Sequence, residues 1–152
     1  MKISSTRFGE VEVSEKQLIN FPHGIPGFPD EKMFVHLEHD TESPFSFLQS
    51  TMEVNLTFLL ADPFVFIKDY EFVLEDDIAK ELDLSLENPP QVFLIATMKE
   101  KLADMTVNLL APLVVNKTNR TGRQVILEKS EYSIRYKLFP DGLPIEAAKG
   151  GK

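Results

Sequence analysis

The sequence predicts a mainly β protein, a small antiparallel barrel or sandwich folded as a single domain with one short α-helix. Three observations carry this. Nine to eleven short strand-like segments recur at regular spacing along the 152 residues. Only one segment, 75–84, has helical spacing. The stretch 106–122, TVNLLAPLVVNKTNRTG, places Val107, Leu109, Ala111, Leu113 and Val115 on one side of a period-two pattern and then runs into turn chemistry.

Taken in order, residues 1–14 read as a hairpin, with Ile3 in the first arm, Gly9 near the turn, and Val11 and Val13 alternating with Glu10 and Glu12. Residues 17–21 form another short strand. The segment FPHGIPGFPD at 21–30 carries too much Pro and Gly for helix or central strand. Its Phe21, Ile25 and Phe28 are too apolar for a free loop, so the turn is expected to lie against the core. Strands come next at 33–37, 45–49 and 54–61, the last with Val54, Leu56, Phe58 and Leu60 on one face.

Asp62-Pro63 should end that strand, with further strand-like segments at 64–67 and at 70–74, where Tyr70, Phe72 and Leu74 alternate. The helix at 75–84 would take Asp76 as its N-cap and Asp77 in its first turn, where the helix dipole favours a carboxylate. Ile78 and Leu82 share its apolar face, and Asn88-Pro89-Pro90 stops the run. About two turns cannot stand alone, so this helix must pack on the sheet. Residues 91–98, QVFLIATM, read as a strand covered on both faces. Pro112 must break or bulge the ladder in the stretch 106–116. Strands at 124–128 and 132–138 complete the set, the latter alternating Tyr132, Ile134, Tyr136 and Leu138. No linker divides residues 1–139. The remainder, 140–152, holds Pro, Gly, Ala and Lys and reads as a flexible tail.

The chain has no cysteine, which excludes a thiolate metal site and a Cys nucleophile and fits a reducing compartment. The N-terminus lacks the apolar core of a signal peptide, and no apolar run approaches a membrane span, so a cytoplasmic, non-membrane protein is expected. The net charge of −8 disfavours direct contact with nucleic acid and favours a basic protein partner. Charge is segregated. Between 69 and 87 the acids are Asp69, Glu71, Glu75, Asp76, Asp77, Glu81, Asp83 and Glu87, against Lys80 alone. Between 117 and 137 the bases are Lys117, Arg120, Arg123, Lys129, Arg135 and Lys137.

Catalytic chemistry finds no foothold. His36 and His39 face opposite ways on a strand and have no third His or Cys near them, so they read as surface histidines and not metal ligands. Asp76 and Asp77 diverge by about 100° on a helix. No nucleophile elbow or phosphate loop is present. No enzyme, metal or cofactor is expected. The acidic segment reads either as a solvated face or as a docking surface, with Phe64, Phe66, Tyr70 and Phe72 near enough to serve as aromatic anchors unless they belong to the core.

Three motifs in order, Phe21-Pro-His-Gly-Ile-Pro-Gly-Phe28, Pro44-Phe-Ser-Phe-Leu-Gln-Ser50 and Thr106-Val-Asn-Leu-Leu-Ala-Pro-Leu-Val-Val-Asn116, the last followed by Arg120 and Gly122-Arg-Gln124, resemble the flagellar assembly factor FliW family. Tyr132-Ser-Ile-Arg135 fits as well, so the resemblance spans Phe8 to about Leu138. It implies a small non-catalytic β-barrel that binds CsrA, a basic RNA-binding homodimer repressing flagellin translation, and relieves that repression. It also implies binding to flagellin, which competes for the protein in a partner switch. An alternative is a cytosolic chaperone that covers a flagellin terminus before export. On this reading the partner-facing residues are Glu71, Glu75, Asp76 and Asp77 of the acidic segment, with Asn108, Leu110 and Val114 from the second register of the 106–116 stretch, expected to be exposed.

Overall fold

Ile19, Phe34, Leu48, Leu60, Phe93, Leu113 and Val115 meet in one buried cluster, and the strands that carry them close into a ring. The computed structural model describes residues 1–25, 27–38, 42–98, 100–127 and 130–139. Its strands are β1 (Lys2–Ser5), β2 (Gly9–Glu12), β3 (Leu18–Asn20), β4 (Met33–Leu37), β5 (Phe45–Ser50), β6 (Thr57–Ala61), β7 (Gln91–Thr97), β8 (Thr106–Val107), β9 (Leu113–Asn116), β10 (Thr121–Gln124) and β11 (Tyr136–Lys137). The helices are α1 (Pro63–Phe66) and α2 (Asp76–Glu81), with single 3-10 turns at Glu15–Gln17 and Leu102–Asp104.

Pairing runs β7-β6-β5-β4-β3-β10-β9, and β9 returns to β7 to complete a seven-stranded barrel. Closure leaves these strands without an open edge. All contacts in the ring are antiparallel except β3 with β10. β8 and β11 extend the sheet beyond β7. The β1–β2 hairpin lies outside, where Ile3 and Val13 pack on Val35 of β4.

The turn 21–30 plugs the barrel as its composition predicts. Phe21 and Ile25 are buried in the central cluster, and Phe28 packs edge-on against Phe58 at 5.8 Å. Gly24 sits at φ +70, and a Cβ there would meet the Pro29 carbonyl oxygen at 2.5 Å. Gly122 is required for another reason: a Cβ would come within 2.8 Å of the Phe21 ring. The motif glycine therefore makes room for the plug.

The predicted β class and barrel hold, with differences in detail. Residues 64–67 are not a strand. Asp62 accepts from the Phe64 amide at 3.0 Å and Pro63 occupies the first helical position, so the pair starts α1 as well as ending β6. Among the described residues there are thus two short α-helices and not one. Residues 70–74 are extended but carry no ladder. α2 is shorter than 75–84, and its N-cap is Glu75, not Asp76; Asp77 uses its own carboxylate to accept the Ile78 amide at 3.0 Å. Residues 132–138 contribute only the two-residue β11, and Ile134 and Tyr136 are exposed although they alternate with Tyr132 and Leu138. His36 is not a surface histidine. It points into the barrel, shares a hydrogen bond of 2.8 Å with Ser46 and lies 4.8 Å from the Phe93 ring. His39 and the 140–152 tail fall outside the described residues.

Candidate protein-binding faces

The stretch 106–116 behaves as its alternation demands on one side. Val107, Leu109, Ala111, Leu113 and Val115 are all buried. The ladder breaks between β8 and β9, around Pro112, and the Asn108 side chain holds the break by accepting from the amides of Leu110 at 3.0 Å and Ala111 at 3.1 Å.

The other register is covered, which corrects the expectation that it is exposed. Val114 is fully buried with Ile78 and Leu82 of α2, and Leu110 is half-buried beside Phe72 and Leu74. Asn108 is half-buried, its side-chain oxygen occupied by the turn. The cover over this face is the acidic segment itself. Residues 68–90 form a strap in which Tyr70, Phe72, Leu74, Ile78, Leu82 and Leu84 pack inward, while the carboxylates, with Val73 and Leu86, are exposed.

Several contacts fix the strap. The Tyr70 hydroxyl donates to the Leu109 carbonyl at 2.7 Å. Burial, with Tyr132 beside it, pushes the Tyr70 pKa up, so it remains a donor. The Tyr132 hydroxyl clasps the Glu71 backbone, accepting from its amide at 3.1 Å and donating to its carbonyl at 3.0 Å. At the far end Asn116 is buried in the core. Its amide nitrogen donates to the carbonyls of Leu82 at 2.7 Å and Asp83 at 3.1 Å, and its oxygen accepts from the amides of Thr118 at 2.8 Å and Asn119 at 3.2 Å. One side chain thus ties the end of α2 to the β9–β10 turn.

The strap's eight acids, Glu71, Glu75, Asp76 and Asp77 among them, are all exposed. Only Glu81 is compensated among the described residues, by Arg123 at 2.9 Å and His23 at 3.0 Å. Arg123 of the basic segment is therefore drawn into the acidic face. Arg120 is half-buried at φ +58 and donates from Nε to the Leu18 carbonyl at 3.2 Å. Of the proposed aromatic anchors, Tyr70 is buried and Phe66 and Phe72 are half-buried core residues, while Phe64 stays exposed on α1.

A second face is not visible in the sequence. On the outside of β4 to β7, ladder register aligns Leu37, Phe47, Leu59 and Ala96 in one rung across four strands. Phe47, Leu59 and Ala96 of this rung line a groove of about 420 Å³ over β5 to β7, and Phe47 and Leu37 line a smaller hollow of about 150 Å³ between the hairpin and β4. Arg7 hangs over the groove, its guanidinium 4.8 Å from the centre of the Phe47 ring, and makes no ion pair among the described residues. Alternation in each strand gives one of these residues at a time; their alignment depends on long-range register.

Neither face has the makings of a metal centre, since no group of three or more His, Asp or Glu able to hold an ion occurs among the described residues. No helix among them is long and apolar enough to cross a membrane.

The FliW protein family model matches residues 2–138. This chain belongs to the FliW family. A flagellar assembly factor FliW of Desulfitobacterium hafniense (strain DSM 10664 / DCB-2) is 65% identical over 152 residues, covering all of both chains. That of Bacillus subtilis (strain 168) is 41% identical over 136 residues, 90% of this chain and 95% of its own. A crystal structure of the flagellar assembly factor FliW superposes with a TM-score of 0.84 at 37% identity, covering 94% of this chain and all of that one. The FliW barrel is therefore an experimentally seen fold, and the acidic strap and the groove are its outer surfaces in this member.

Proposed function

We propose that this FliW-family chain is a non-enzymatic, cytoplasmic protein-binding factor that captures CsrA through its acidic strap and so relieves repression of flagellin translation, with flagellin as the competing partner. The observation that carries the reading is the strap: eight exposed carboxylates on one side of the barrel, mounted on a buried apolar underside. A basic RNA-binding dimer would be steered toward such a face, and RNA would be repelled from it. Glu71, Glu75, Asp76 and Asp77 are the proposed contacts. Asn108, Leu110 and Val114 act beneath them as the strap's support.

Reversing Glu75, Asp76 and Asp77 to Lys removes one local contact, Asp77 with the Ile78 amide, and leaves the core residues unchanged, so the barrel should persist. Titrating this variant against CsrA at two salt concentrations should give weaker binding at low salt and a flatter salt dependence than the parent chain. Unchanged affinity at low salt, in a variant with unaltered circular dichroism, removes the strap from the interface.

The groove on β5 to β7 favours a second reading, a flagellin chaperone, because covering an amphipathic terminus needs an apolar receptor. Mixing the protein with flagellin alone and with CsrA alone separates the two. Binding to only one of them ends the partner switch.

A further inference from the structure

A partner seated in the groove over β5 to β7 has to bring its own backbone hydrogen bonds. At the rung that lines the groove every strand is paired on both sides: Phe47 with Leu37 and Leu59, Leu59 with Phe47 and Ala96, Ala96 with Leu59 and Val107. An extended segment therefore finds no sheet edge there to add to. An α-helix satisfies its own backbone and contributes side chains alone. Its diameter with side chains, about 10–12 Å, matches the two strand spacings of about 4.8 Å between β5 and β7.

Charge narrows the choice of helix. In a chain of net charge −8, Arg7 is the only charged residue among the described residues that line the groove. Its place is fixed from below. The Ser5 hydroxyl accepts from the amides of Arg7 and Phe8, each at 3.1 Å, and donates to the buried Gln49 side chain at 2.7 Å. The Phe8 ring stands edge-on to Phe47 at 5.0 Å, and the guanidinium lies over both, 5.9 Å from the first ring and 4.8 Å from the second. A guanidinium held over rings by its face keeps the N–H fork at its edge. That fork matches a carboxylate with two parallel hydrogen bonds. The strap repels an acidic segment, whereas the groove offers it a cation.

We propose that the groove's occupant is an amphipathic partner helix carrying a carboxylate beside its apolar stripe, the stripe lying on Phe47, Leu59 and Ala96 and the carboxylate at Arg7. Arg7 is then the specificity-determining residue of this face. Apolar contact holds the helix, and the ion pair selects an acidic helix over a basic one. This rests on the reading of the groove as a docking face and adds the sign of the charge it selects. The barrel then sorts its partners by side, a basic surface at the strap and an acidic helix at the groove.

The probes are three synthetic helical peptides of about 18 residues with one stripe of Leu, identical except for a single Glu, Gln or Lys flanking the stripe. They are titrated into the full chain at about 0.15 M salt, which screens the distant acids. The Glu peptide should bind about fivefold tighter than the Gln peptide, and the Lys peptide more weakly than either. Net charge alone gives the opposite order. Arg7→Glu alters an exposed side chain and should invert the preference. The place of binding is read separately, from methionine methyl resonances. Met98 lines the groove, whereas Met33 and Met52 are exposed outside it, so the Met98 signal should shift and the other two should not. Equal affinities with Met98 shifted overturn the proposal and leave the groove a docking face without charge selection. A preference unchanged in Arg7→Glu overturns it too, since another residue then selects the charge. A Met98 signal that stays in place at saturating peptide overturns both the proposal and the reading beneath it.

Discussion

The two outer sides of the barrel are finished in opposite ways. Over β9 and β10 the chain covers Val114 with its own strap and turns eight carboxylates to solvent. Over β5 to β7 the rung of Phe47, Leu59 and Ala96 remains a groove. On the first side attachment and charge reside in different residues: Ile78, Leu82 and Phe72 hold the strap, while the acids touch little. On the second, packing residues are themselves the surface. The acidic face can therefore be rewritten without disturbing the core. The groove cannot be altered without some loss of packing.

The largest effect expected from breaking this division comes from Asn116, a fully buried polar side chain that holds the strap through several hydrogen bonds. Asn116→Ala leaves the Leu82 and Asp83 carbonyls and the Thr118 and Asn119 amides without their partner. A buried group left unsatisfied costs about 1–3 kcal/mol, so a loss of about 3 kcal/mol is expected when several are affected. Denaturant midpoints with an unchanged slope would measure it, and amides at the end of α2 should exchange faster than those of β5 and β6. Exchange raised equally on both sides would show that the strap has no local stability of its own.

The same residue shows what a sequence can and cannot reveal. Period-two alternation identifies the buried face of 106–116, and with it the β class, because strand geometry alone decides which residues share a face. Asn116 reads as the start of a polar turn, which it is. Its second role, capping a helix that ends more than thirty residues earlier, has no local signature. Val114 departs from expectation for the same reason: whether the second face of a strand is open depends on what else the chain lays over it. The groove is the clearest case, since its rung of Phe47, Leu59 and Ala96 needs two separate strand registers to agree. Asp62-Pro63 is different. Its helix-start chemistry is present in the sequence, but the same two residues also terminate a strand, and local pattern does not rank the two roles.

His36 belongs to neither side, being enclosed by the ring, and it tests whether acid acts on the barrel or on the strap. Burial holds its pKa below the usual histidine value, with Arg120 adding to the effect and Glu38 opposing it. The unfolded chain therefore binds a proton below about pH 6.5 that the folded chain refuses. Stability contributed by neutral His36 is fully present above that pH and is lost as pH falls toward the folded pKa, by at most about 1.4 kcal/mol per pH unit. Comparing the parent chain with His36→Gln at pH 7.5, 6.5 and 5.5 should show the parent's advantage shrinking with acid. An advantage constant across that range would mean that His36 takes its proton equally well inside the barrel.

Glu81→Gln should have the smallest effect on stability and sharpens the comparison most. Glu81 is the only strap acid with ion-pair partners among the described residues, Arg123 and His23, and the cluster is largely exposed. Exposed pairs contribute about 0–1 kcal/mol, so the unfolding midpoint should hardly move. Electrostatically the substitution removes one negative charge from the face. It also leaves the Arg123 guanidinium without its Glu81 partner. If the strap works through its field, association with a basic partner should slow at low salt, and the difference should vanish as salt screens the face over a Debye length of about 10 Å at 0.1 M. A slower association that persists at high salt would instead assign Glu81 a direct contact. The charge on this side of the barrel would then be read residue by residue, not as a field.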